Sequence, residues 1–510
     1  MIPSCPLYAV GYGRVVGEPG RVIVIGSGPP GAAAALFLSR AGAEVLILEA
    51  GSERSSLGLT ARVRGFTVLK YRRPLKQSEA FSATADPAAA LYEELAPGGL
   101  SNHWSCAVPR FAPEDFTDAE RAGEAYMWPI GYSDVAPWYD QVEPLLHIAG
   151  SSSDEAQLPA GRVHDRRELS PAWAPIVAEA RSRGRTLTPM PYAYGAETTV
   201  TLSGTVFNSF ERVIKPELRA RRLAMRFNAH VVRLEWSPEK RRVEAVIFRD
   251  ARTGAETRLA CRAVVLAAGA IRTPEILLAS TSTEFPEGLG NTHGVLGHYL
   301  HDHPLGKLVI DLGEPLRVHP PSYLTRPTVD LTPPLYAAAC MQWSGTPLLA
   351  QSMRNGTPNR LSWLGFSVFG TMAPIHDNWV AIDSAQSSAD GARRLKLNIR
   401  HPPEATIALE KARDDLMEIL TRAGQKPRIR TWDIGPVGDS KHYGGTCRMH
   451  ASPRFGMLDG SSRLHAVPNV AVADSAAFTT GPEKNPVLTA MALAARAGHL
   501  LAKDLKAGNI

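Results

Sequence analysis

Cysteine is scarce. The 510 residues hold five, Cys5, Cys106, Cys261, Cys340 and Cys447, and none forms a CxxC pair. An odd, widely spaced set excludes a zinc ribbon and a disulfide framework and points to a reducing compartment. An excess charge of one sign is also missing. Lys and Arg total 56 against 50 Asp and Glu, a net +6 with no basic block of the kind a nucleic-acid tract needs. Apolar runs such as Ala32–Leu38 stop far short of a membrane span. Met1–Gly20 carries Pro3, Pro6, Gly11 and Gly13 and lacks the charged start and apolar stretch of a signal peptide. These absences lead us to expect a soluble, cytoplasmic globular protein without nucleic-acid or membrane partners. At roughly 150 residues per domain the chain makes about three domain-sized units.

What is present is concentrated early. Arg21–Ile25 is a β-branched run suited to a buried parallel strand, followed by Gly26-Ser27-Gly28-Pro29-Pro30-Gly31. Ala32–Ala41 then predicts a helix, and Glu44–Leu48 a second strand ending at Glu49. In such a βαβ unit Gly26 permits the tight turn, Gly28 lets backbone approach a pyrophosphate, and Gly31 allows close helix–strand packing. The helix N-terminus offers amides and a positive dipole end to phosphates. Glu49, 18 residues beyond Gly31, stands where an acid accepts ribose hydroxyls. The pattern predicts dinucleotide binding without separating NAD from FAD.

Further along, 113–204 reads as short helices and loops with interleaved aromatics, and Phe207–Arg221 as helix. Leu223–Glu235 and Arg242–Arg249 predict a hairpin-like pair, and Ala263–Ala268 a buried strand. Lys307–Leu312, Leu335–Trp343, Leu361–Phe369, Trp379–Ile382 and Leu395–Ile399 predict a second, largely antiparallel sheet. Ala405–Ala423 and Val487–Leu505 have helical spacing. There are no internal repeats.

Six strings stand in a characteristic order: the Gly26–Gly31 loop, Gly98-Gly-Leu-Ser-Asn-His-Trp104, Gly269-Ala-Ile-Arg-Thr-Pro-Glu-Ile-Leu277, Leu296-Gly-His-Tyr-Leu-His-Asp-His-Pro304, His442-Tyr-Gly-Gly-Thr-Cys-Arg-Met449 and Asn469–Pro486. Together they resemble the glucose–methanol–choline (GMC) family of FAD-dependent alcohol oxidoreductases. The resemblance implies an α/β fold: a Rossmann-like FAD-binding domain (1–112, 205–305 and 440–510) and a discontinuous α+β substrate domain (113–204 and 306–439) on the second sheet. Within the family, Gly98–Phe111 looks most like the pyranose oxidase branch, which includes bacterial glycoside 3-oxidases. That similarity places Gly99, Ser101, Asn102, His103 and Ser105 at the flavin, Ser105 near its N5. His103 has two roles open, a covalent bond to the flavin or packing against its ring.

The resemblance also makes His442 the catalytic base and sets Asn485 beside it, facing the substrate hydroxyl. A neutral imidazole suits proton removal near neutral pH. Gly444 and Gly445 would let the chain pass close to a planar ring. Asn485-Pro486 fits the start of the last helix, Asn as N-cap and Pro at N1, and Val487 opens that helix, whose dipole would favour a reduced, anionic flavin. Asp474 matches a position near the ribityl and pyrophosphate, and Val232 one whose backbone meets the adenine; a strand-end turn and plain core explain them equally. His450 departs from the family string. His301, Asp302 and His303 lack a fourth ligand, so no metal is expected. The implied reaction is oxidation of a secondary ring hydroxyl of a sugar or glycoside to a ketone, with dioxygen or a quinone-like acceptor reoxidising the flavin. The alternative is a dehydrogenase of an amino-sugar, polyol or other alcohol. The sequence carries no signal for oligomeric state.

Overall fold

The computed structural model describes residues 20–53, 60–63, 66–69, 75–193, 207–317, 322–326, 338–343, 360–372, 374–387 and 393–510. Cys5, nearly all of the N-terminal segment and the start of the expected strand Leu335–Trp343 lie outside them.

Short β-branched runs build the first sheet. Val22–Ile25 is buried at every position and pairs in parallel with Val45–Leu48 and with Ala263–Leu266. Val467–Val472 extends the sheet beyond Ala263–Leu266, and Ala224–Arg226 closes the other edge beside Val45–Leu48. Arg463–Leu464 adds a short antiparallel edge. Strands with both faces buried need cover on each. Pro29–Arg40 and Val487–Ala507, which cross closely, and the hairpin strands Ala229–Ser237 and Arg242–Asp250 pack against them. A Cβ on Gly498 would sit 2.8 Å from the carbonyl oxygen of Ala34. Gly498→Val should therefore push the two helices apart and cost about 1–3 kcal/mol in denaturant unfolding.

The second sheet is antiparallel throughout, in the order Arg428–Ile434, Leu305–Arg317, Arg360–Gly370, Ala338–Trp343, Ser322–Leu324, Leu187–Pro189. Helix Pro403–Arg422 lays Leu409, Ala412, Leu416 and Ile419 onto it, one face at helical spacing.

Several elements differ from expectation. Trp379–Ser387 and Arg393–Asn398 do not join that sheet; with Phe81–Ala83 they form a separate three-stranded one. Their inward residues Val380, Leu395 and Leu397 bury in the first core, which decides their partner. The run Leu223–Glu235 divides at Asn228, whose φ of 56° turns the chain from the first sheet into the hairpin strand Ala229–Ser237. Phe207–Arg221 is a π-helical turn, Phe210–Ile214, followed by Lys215–Arg219. Within 113–204 stands a 15-residue helix, Tyr132–Leu146, despite Pro137 and Pro144. Val135, Tyr139, Val142 and Leu146 bury one face against the core, and that packing outweighs the helix-breaking prolines. Among the described residues no helix is long and apolar enough to cross a membrane.

Candidate active site

The carboxyl ends of the parallel strands open into a cavity of about 480 Å³ that runs from the Gly26 loop to His442 and Asn485. At its first end Gly26 has φ 102°, and a Cβ there would collide with the carbonyl of Ala267. A Cβ on Gly28 would instead point into open space, a cradle for a group approaching the backbone. Helix Pro29–Arg40 has proline at both of its first two positions. Of the four amides at the helix start, Gly28 to Gly31, the two prolines have none, which leaves those of Gly28 and Gly31 to donate. Glu49 is buried, accepts hydrogen bonds from Ser27 Oγ and from the Gly51 amide at 2.8 Å, and has its carboxyl pushed up by burial. Asp474 accepts from Gly269 N at 2.9 Å, Thr273 Oγ1 at 2.7 Å and Ala476 N at 2.8 Å, and burial raises it too.

The loop Gly98–Trp104 forms the middle wall. Gly99, Ser101, His103 and Ser105 line the cavity. Ser101 Oγ donates to Gly98 O at 2.6 Å and so shapes the loop. His103 Nε2 is 2.6 Å from Glu94 Oε2, a pairing the sequence analysis missed although Glu93-Glu94 stands just before the Gly98 loop. Three expected residues do not reach the cavity. Gly31 packs under the loop against Gly26. Asn102 braces it, donating to Gly99 O at 2.9 Å and accepting from Asn208. Val232 turns its carbonyl to Arg393 at 2.8 Å, and Ala229, His230 and Val231 line the wall in its place.

At the far end the structure brings His442 and Asn485 together. Asn485 Nδ2 lies 3.4 Å from His442 Nε2. The last helix begins at Val487 with Pro486 as its N-cap and no side-chain capping bond, so the Asn485 amide is not spent on helix initiation. Pro486 and Val487 line the cavity, and the helix's first turn carries no acidic residue. His442 is held from two sides. Asp302 Oδ1 accepts its backbone N–H at 2.7 Å, and His303 Nδ1 meets its Nδ1 at 2.6 Å. Burial pushes the His442 imidazole down to about 3 and the Asp302 carboxyl up to about 6. Gly444 and Gly445 lie away from the cavity; the planar ring they pass is the imidazole of His301, whose Nε2 would sit 2.6 Å from a Cβ on Gly444. His450 is tied to Glu124 O at 2.9 Å, a purely structural bond.

Immediately before Asn485 lies a buried knot of charge that the sequence analysis did not anticipate. Lys484 donates to Asp115, and Arg326 pairs with Asp118 at 2.6 Å and lies 3.3 Å from Glu483. The side chains of Lys484, Asp115 and Glu483 are 0% exposed, and burial pushes the Glu483 carboxyl up.

The chain matches the FAD binding domain family over residues 21–327 and the GMC oxidoreductase family over residues 374–494. It is 26% identical to 2-methyl-1,2-propanediol dehydrogenase of Mycolicibacterium austroafricanum, over 94% of this chain and 95% of that one. It is 24% identical to C-glycoside 3-oxidase of Arthrobacter globiformis, over 82% and 76% of the two chains. The crystal structure of pyridoxine 4-oxidase from Mesorbium loti superposes with a TM-score of 0.59 at 15% identity, over 94% of this chain and 98% of that one, a likeness of fold. An open glycine cradle, a buried ribose-ready acid and a cavity joining both to an imidazole–amide pair fit a flavin dinucleotide. The chain belongs to the FAD-binding GMC oxidoreductases.

Proposed function

We propose that the protein oxidises a secondary ring hydroxyl of a sugar or glycoside to a ketone. The observation that carries this reading is the approach of His442 and Asn485 at one end of a cavity whose other end is the Gly26 loop. When bound, FAD supplies the hydride acceptor. Gly26, Ser27, Gly28 and Glu49 would hold its pyrophosphate and ribose, and Asp474 its ribityl side. Pro486 and Val487 would present the dipole of the last helix to the pyrimidine edge. His442 Nε2 takes the hydroxyl proton, and Asn485 fixes that hydroxyl by hydrogen bonding. Phe369, its ring centroid 5.4 Å from that of His442, and Leu305 and Ser367 on the same strand pair line the cavity beside the base, an apolar floor with a hydroxyl that suits a sugar ring. Similarity to a C-glycoside 3-oxidase supports the ring position. Similarity to a diol dehydrogenase favours the second reading, a dehydrogenase acting on a polyol, amino-sugar or other alcohol.

Anaerobic spectroscopy against monosaccharides, O- and C-glycosides, amino-sugars and short diols decides between them. Bleaching of the flavin by glycosides is expected; bleaching by diols alone would reject the glycoside reading. Admitting air afterwards separates dioxygen from a quinone-like acceptor by the speed of reoxidation. Glu94 beside His103 Nε2 leaves Nδ1 as the basic nitrogen of that ring, its nucleophilicity raised by the carboxylate. The colour is therefore expected to stay with acid-precipitated protein through a His103–flavin bond. A yellow supernatant would leave His103 as a packing residue.

A further inference from the structure

His303, which meets the His442 ring, is almost wholly buried, 1% exposed. Its Nε2 is 2.6 Å from the carbonyl oxygen of Pro482. A carbonyl only accepts, so Nε2 carries the ring's proton. In the neutral ring Nδ1 is then a lone pair, and it faces His442 Nδ1 at 2.6 Å. Only a hydrogen on His442 Nδ1 makes that contact a bond. His442 must then carry its lone pair on Nε2, the nitrogen nearer Asn485. The other tautomer would set two lone pairs against each other at 2.6 Å, with Phe369 packed beside both rings.

We infer that His303 is a positioning residue that fixes the tautomer of His442, relaying the polarity of the Pro482 carbonyl so that Nε2 faces the substrate as an acceptor. Asp302, its neighbour in the chain, fixes the backbone of the same histidine. One dipeptide thus sets both the place and the protonation pattern of the base. The inference rests on His442 being that base, and it is tested apart from it.

In holoenzyme labelled with 15N-histidine, the His442 signal, assigned by its loss in His442→Ala, should show Nδ1 protonated and Nε2 bare at neutral pH. The reverse pattern would overturn the inference whatever the activity. His303→Leu removes the acceptor and should slow flavin reduction by substrate about tenfold to a hundredfold at full FAD occupancy. His303→Asn, whose amide oxygen can replace the acceptor at Nδ1, should recover to within about threefold of wild type. The double variant His303→Leu/His442→Ala should be no slower than His442→Ala alone, because one residue acts through the other. A wild-type rate in His303→Leu, or full additivity in the double variant, would overturn the inference. Should the leucine variant not fold, the spectrum of the wild type and the rate of the asparagine variant still decide. An unchanged rate in His442→Ala would defeat the base assignment, while the nitrogen spectrum would continue to report the tautomer.

Discussion

His442→Ala is expected to keep its flavin and to lose about 10²–10⁴ of the rate at which substrate reduces it. The cofactor should stay because the walls from Gly26 to His103 do not depend on this side chain. The rate should fall because no described neighbour can take over as base: His303 lies behind His442, with Nε2 committed to Pro482, and Asn485 has no basic nitrogen. Stopped-flow reduction under anaerobic conditions measures this directly, and reduction at the wild-type rate would remove His442 from the chemistry. The pH dependence follows from the same environment. Burial, and next Lys441, lower the imidazole to about 3, so it is protonated only below that point and neutral above it. In wild-type enzyme the limiting reduction rate should show no acidic limb from this group between about pH 5 and 9. A tenfold loss between about pH 7 and 6 would contradict that.

Lys484→Ala should be the most damaging single change to stability, costing about 3–5 kcal/mol in denaturant unfolding. The ammonium and its partner Asp115 are both sealed from water, and its removal leaves Asp115 beside Glu483 with Arg326 as the one remaining cation of the knot. The apolar double change Lys484→Met/Asp115→Leu should cost less than Lys484→Ala, since no charge is then stranded. If both variants unfold at the wild-type midpoint, the pair carries no net weight.

Much of the first layer was legible because its code is local. Four-residue β-branched runs, a glycine turn and an acid eighteen residues on state a Rossmann unit within one short stretch. The last helix and the His442 string were equally readable, and His442 does meet Asn485. What could not be read is the pairing of distant residues. Nothing in a sequence links His303 to His442, 139 residues apart, so the His301–His303 cluster suggested only a metal question. Glu483 and Lys484 resemble an ordinary charged turn until Asp115 and Arg326 close over them. Trp379–Ile382 reads as a strand from its own residues, but a local run does not say which sheet a strand joins. Val232 fell one place off the cavity wall, a small shift that inverts which face a strand residue shows.

The parallel pairing of Phe81–Ala83 with Arg393–Asn398, and the crossing of the first helix with the last, carry a consequence for how the protein is made. A ribosome makes the glycine turn about 450 residues before the opposite wall of the enclosure, Val487–Ala507. Long-range closure of this kind is slow. The newborn chain should therefore hold no vitamin-derived pigment until Val487–Ala507 has emerged. Nascent chains stalled before residue 487 should stay colourless, and free riboflavin-type coenzyme should act as a chaperone for the released polypeptide by trapping its final fold.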